Sequence, residues 1–224
     1  MEFEITGSTM QTLLVQLAAG EAMYTERGGM AWLSNVDMDT GTKGSLMKGL
    51  GRMVSGESLF MTTYTAKQGG GQIAFAPEAP GSVLAMSLDP GQAMLCQRDA
   101  FMCAEEGVDL SMHFHQRLGA GLFGGEGFFL QRVKGPGYVF FEIAGEAYET
   151  TLEPGAVLSV DPGHIALFEP TVDFSITRVK GVRNMLLGGE GLFLAKLTGA
   201  GKVWLQSLPL PNLAAKLKRY IAKS

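Results

Sequence analysis

The chain has 224 residues, is 46% hydrophobic and carries a formal net charge of −4. That length and apolar content can bury a substantial core, and a mildly acidic chain without a basic run argues against phosphate-backbone binding, so no nucleic-acid partner is expected. No apolar stretch nears the roughly 20 residues of a spanning helix, and two cysteines, Cys96 and Cys103, are too few for a disulfide scaffold and read as free thiols in a reducing compartment.

The N-terminus, Met1-Glu2-Phe3-Glu4-Ile5, shows no basic n-region or long apolar run. A soluble, cytoplasmic protein is the expectation. From there the chain repeats four signposts three times. A turn ending in Gly opens each copy: Leu17-Ala18-Ala19-Gly20, Leu88-Asp89-Pro90-Gly91 and Leu152-Glu153-Pro154-Gly155. A Val-Asp strand follows at Val36-Asp37, Val108-Asp109 and Val172-Asp173. Next come Gly56-Glu57, Gly125-Glu126-Gly127 and Gly189-Glu190-Gly191, whose glutamates lie 69 and 64 residues apart. A Gly turn and an apolar strand close each copy, at Gly71, Gly137 and Gly201. One supersecondary unit copied three times predicts one body, because a single copy cannot cover its own apolar face. The expectation is a single all-β domain over 1–224 with repeats at about 3–80, 81–145 and 146–210.

The 31 glycines and short apolar segments between turns fit many short strands. In the second copy Val108, Leu110, Met112 and Phe114 alternate with Asp109, Ser111, His113 and His115, which predicts a half-buried strand. Phe174 and Ile176 alternate with Asp173 and Ser175 in the third.

His113-Phe114-His115 has the form of half a cupin metal motif, and His164 lies where a later cupin strand would donate a ligand. The segment Gln116 to Ala120 lacks the carboxylate that motif needs, and the repeat aligns His113 and His115 with Thr177 and Val179. The favoured reading is surface or interface histidines; no metal or other cofactor is expected. The repeat aligns Cys96 with Thr25 and Val160, and Cys103 with Trp32 and Leu167, which reads as packing rather than catalysis. Gly119 to Gly124 matches G-x-G-x-x-G without the flanking strand and helix that would give it meaning.

Glu57, Glu126 and Glu190 are expected to organise structure by accepting hydrogen bonds from their Gly-rich turns, aided by Gly56, Gly125, Gly127, Gly189 and Gly191. Basic-apolar stretches precede them. Lys48, Arg52, Arg117 and Arg183 in those stretches are candidate partner or oligomer contacts, or contacts to an anionic membrane surface. At the end, Pro209-Leu210-Pro211 stops the last strand, and Asn212 is a candidate N-cap for a helix over 212–222. Leu213, Leu217, Tyr220 and Ile221 would share one face.

Three copies built on Gly-Glu segments and Val-Asp strands, followed by a short helix, resemble the altered-inheritance-of-mitochondria 24 family over about residues 3–210. The carrying residues are Gly125-Glu126-Gly127-Phe128 and Gly189-Glu190-Gly191-Leu192, with Gly56-Glu57-Ser58-Leu59 as a divergent first copy. The resemblance implies a β-sandwich of short double-stranded β-helix type, similar to the subunit of the tryptophan RNA-binding attenuation protein, whose relatives form rings. It supplies no catalytic residues, and a shared fold does not carry RNA binding across. The expected function is a non-enzymatic, homo-oligomeric assembly or scaffold protein, with a possible protein partner. The alternatives are a cupin-like metal-binding enzyme and a peripheral membrane-surface adaptor.

Overall fold

Turns set the strand boundaries. Gly20, Gly91 and Gly155, at one position in each copy, all have positive φ (81°, 90° and 78°) with nothing within 4 Å of an added Cβ, so backbone conformation alone demands glycine there. The computed structural model describes residues 1–26, 29–42, 60–116, 127–178, 193–217 and 220.

The first copy holds β1 (Glu2–Thr6), β2 (Thr12–Leu17), β3 (Ala22–Thr25), β4 (Met30–Ser34), β5 (Val36–Thr42), β6 (Phe60–Ala66) and β7 (Gly71–Phe75). The second holds β8 (Gly81–Leu88), β9 (Ala93–Gln97), β10 (Phe101–Glu105), β11 (Asp109–Gln116), β12 (Phe128–Lys134) and β13 (Gly137–Ala144). The third holds β14 (Ala147–Leu152), β15 (Val157–Val160), β16 (Ile165–Phe168), β17 (Asp173–Arg178), β18 (Phe193–Thr198) and β19 (Gly201–Gln206), before helix α1 (Leu210–Leu217). The fold is all-β with one short helix.

Four antiparallel sheets run β1-β2-β7-β4, β5-β6-β3-β10-β13-β8, β11-β12-β9-β16-β19-β14 and β15-β18-β17. Each copy is split into two halves that lie in different sheets, three strands apiece except for the four-stranded half of the first copy. The two six-stranded sheets each join halves of successive copies, through β3–β10 and β9–β16. Their central junction strands are buried on both faces and read as continuous apolar runs instead of alternating ones. Phe101, Met102, Cys103 and Ala104 of β10 are all buried, as are Ile165 to Phe168 of β16.

Three apolar clusters fill the spaces between successive sheets. Leu13, Ile73, Phe75, Tyr64 and Phe140 form the first, with the Phe3 ring edge-on to Phe140 at 5.0 Å. Tyr24, Phe101, Val133, Phe141 and Leu167 form the second, and Phe128, Leu130, Ile165, Phe168 and Val203 the third. Each fully buried aromatic or aliphatic side chain contributes about 1.5–3 kcal/mol by leaving water. A bulge recurs at one place in every copy, between Met30 and Trp32, Phe101 and Cys103, and Ile165 and Leu167.

The helix begins at Leu210, two residues before the expected cap. The carbonyl of Pro209 accepts from the N–H groups of Asn212 and Leu213 at 3.0 and 3.1 Å, so Asn212 sits inside the first turn and does not cap it. Pro211 fits there because a first-turn residue has no intrahelical N–H bond to lose. No helix among the described residues is long and apolar enough to cross a membrane.

Phe140→Ala is expected to cost about 3–5 kcal/mol in urea unfolding, whereas Tyr148→Ala, at 63% exposure on β14, is expected to stay within about 0.5 kcal/mol.

Candidate functional site

The junctions between copies are built alike. At the first, Ala104 lies opposite Tyr24 and Glu105 opposite Met23. The Thr25 hydroxyl donates to the Met102 carbonyl at 2.6 Å, and the Tyr24 hydroxyl to the Val108 carbonyl at 2.8 Å. Burial pushes the Tyr24 phenol up, so it stays a donor. At the second, Leu167 lies opposite Cys96 and Phe168 opposite Leu95. Pairing with β7, β13 and β19 makes Leu33, Ala104 and Phe168 equivalent. Pairing with β6, β12 and β18 makes Tyr24, Leu95 and Ser159 equivalent.

That equivalence picks out the site. β4 and β15 occupy the junction positions of the first and third copies, and each ends its sheet. Trp32 is 52% exposed and Val157 52%, whereas Cys103 and Leu167, which correspond to Trp32, are fully buried. Neither exposed edge carries a charge: β4 reads Met-Ala-Trp-Leu-Ser and β15 Val-Leu-Ser-Val.

A second polar region lies where all three copies meet, in a cleft lined by Pro77, Gln97, Glu142, Gln206 and Leu210. Its groups are mostly spent on holding copies together. Gln206 accepts from Ala144 N at 3.2 Å and donates to the Gly163 carbonyl at 2.9 Å. Gln97 and Asp161, at one repeat position, each accept from the backbone N–H two residues on, that of Asp99 and that of Gly163, at 3.0 Å. Glu142 accepts from Glu78 N at 3.0 Å. Burial pushes its carboxyl up to about 7; that hydrogen bond opposes the shift, and the charges of Glu78 and Asp99 add to it.

The structure separates the three histidines. His113 and His115 lie on β11, and His164 lies three strand spacings away in the turn before β16, about 14 Å across the sheet. The His115 ring stacks on Phe129 at 4.0 Å, and His164 Nδ1 bonds the Gln206 carbonyl at 2.8 Å. Partial desolvation, with the Arg132 charge nearby, holds the exposed His113 below its usual range. No group of three potential metal-binding side chains occurs among the described residues. Cys96 and Cys103 are buried in the junctions, and burial pushes both thiols up, away from the reactive thiolate.

Gly56, Glu57, Gly125, Glu126, Gly189, Glu190 and Gly191 lie outside the described residues, as do Lys48, Arg52, Arg117 and Arg183. Gly127 is described: it is buried, with φ of 106°, just before β12. The segments carrying these residues, 43–59, 117–126 and 179–192, join equivalent strand pairs, β5 to β6, β11 to β12 and β17 to β18. The open edges were not among the residues the sequence singled out. Their signal was present in the repeat, which places Trp32 in register with buried Cys103 and Leu167.

Residues 3–208 match the family model described as mitochondrial biogenesis AIM24. An uncharacterized protein of Streptococcus pyogenes serotype M6 is 31% identical over 234 aligned residues, spanning 100% of this chain and 92% of that protein. The crystal structure of protein SPYM3_0169 from Streptococcus pyogenes superposes with a TM-score of 0.79 at 26% identity, covering 98% of this chain and 99% of that one.

Two measurements bear on the buried groups. Glu142 is held protonated in the fold, so its stabilising effect is complete below pH about 4.5 and is lost as pH rises to about 7. Glu142→Gln is expected to flatten that decline and to raise stability at pH 8 by about 2–3 kcal/mol in urea titrations. Cys96 and Cys103 are expected to react with a thiol reagent only at the rate of unfolding, read as labelling that follows denaturant concentration.

Proposed function

The chain belongs to the mitochondrial biogenesis AIM24 family, and from that premise and the geometry of its junctions we propose that it is an assembly or scaffold protein working as a homo-oligomer. One observation carries the reading: among the described residues two junction strands, β4 and β15, end their sheets exposed and without a strand partner on one side, although their counterparts in the other sheets are buried. Charge-free, unpaired edge strands invite pairing with another chain. The role is structural and not catalytic. The ordered polar side chains at the junctions and the central cleft, those of Thr25, Tyr24, Asp161 and Gln206, make hydrogen bonds that tie the fold together.

A second reading, attachment to an anionic membrane surface, is favoured by the terminal helix. Leu217, the last residue of the helix, is 52% exposed beside Lys216, and Tyr220, three residues past the helix, is 87% exposed, so apolar side chains there are only partly covered by the chain. Sedimentation with anionic vesicles that weakens as salt rises would support it; no binding at low salt would remove it.

Native mass spectrometry of untagged protein tests the first reading. A discrete oligomer is the expected result, and a monomer at all micromolar concentrations would overturn it.

A further inference from the structure

We infer that copies of this chain join head to tail, β4 of one copy pairing antiparallel with β15 of the next in the register that the chain already uses twice inside itself. This rests on the assembly reading and adds which surfaces meet and how. The internal junctions pair Ala104 with Tyr24 and Phe168 with Leu95. Their equivalents at the open ends are Leu33 and Ser159, so Leu33 is set opposite Ser159, Trp32 opposite Val160 and Ser34 opposite Leu158. The four-stranded and three-stranded outer sheets then merge into one, β1-β2-β7-β4 continuing into β15-β18-β17 of the next copy. Apart from the added β1, that order repeats the two six-stranded sheets strand for strand.

The other sheet edges are protected in ways these two are not. β1, β5, β11, β14 and β17 carry charged residues, the device that discourages edge-to-edge pairing. β8 has none, but residues 9–11 cover its start: Gln11 N bonds the Gly81 carbonyl, Gly81 N the Thr9 carbonyl, and Val83 N the Gln11 side chain at 2.7 Å. Only β4 and β15 are both uncharged and uncovered among the described edges. Their exposure in the single chain also means that they do not close on each other. One edge of each kind per copy makes the contact heterologous, so assembly ends in a ring or continues as a filament.

The test uses the full chain with Trp32→Lys and, separately, Val160→Lys. Each variant loses one edge and keeps the other. Each alone is expected to run as a monomer in native mass spectrometry. Their mixture is expected to give a two-chain species and nothing larger, because one intact β15 meets one intact β4. Variants that remain assembled like the wild type would overturn this interface and leave the assembly reading standing. A mixture that stays monomeric beside an assembled wild type would also overturn it. A monomeric wild type would overturn both. Register is read from the double variant Leu33→Cys with Ser159→Cys: oxidation is expected to link chains into multiples of one chain's mass, and a bond within one chain would overturn the proposal.

Discussion

Strand pairing across copies is the constraint on which the rest of the structure depends. A three-stranded half-sheet has two faces and two edges, and one repeat can protect neither fully. Joining the half-sheet of one copy to that of the next through β3–β10 and β9–β16 completes two six-stranded sheets, each covered on both sides at its junction strands. All three apolar clusters draw on residues from neighbouring copies, as where Met102, Cys103 and Phe140 of the second fill the cluster around Leu13 and Ile73 of the first. The hydrogen-bonding tyrosine, threonine and glutamines then serve that arrangement. Tyr24 and Thr25 reach across a junction to carbonyls of the next copy, and Gln206 ties Ala144 to the turn at Gly163.

Much of this could be read from residue order. The repeated Gly turns placed the strand starts, and the alternation from Val108 matches the start of β11: Val108 and Leu110 are buried in the second cluster and Asp109 and Ser111 are exposed. A bulge between Met112 and Phe114 then breaks it, and Phe114 packs on the third cluster instead. The aligned cysteines, Thr25, Trp32, Val160 and Leu167 marked the junction positions. Pairing between copies was not legible, because long-range strand partners leave no local pattern. The apolar runs of β10 and β4 look alike in sequence; only strand order shows one to be central and the other an edge. The helix start was misplaced because Asn212 is a good cap by composition, while the Pro209 carbonyl accepts its first bonds. The raised carboxyl of Glu142 depends on its burial in a cleft shared with Pro77 and Leu210, far away in sequence, which no motif announces.

The three histidines show the opposite case, in which local sequence points to chemistry that the sheet order does not assemble. His113 and His115 lie two residues apart on one strand, the first of them in a bulge, and β12 and β9 lie between that strand and the one that follows His164. A spacing rule describes neighbours along the chain; a ligand set needs neighbours across a sheet.

Because copies and sheets are out of step, the chain is not divisible at its repeat boundaries. A cut near residue 80 would separate β3 from β10, and one near 145 would separate β9 from β16. Each piece would keep an open half-sheet and part of another copy's core. Native-state opening in such a body is coupled from one copy to the next, so limited proteolysis has no seam at which to release a stable single-copy fragment.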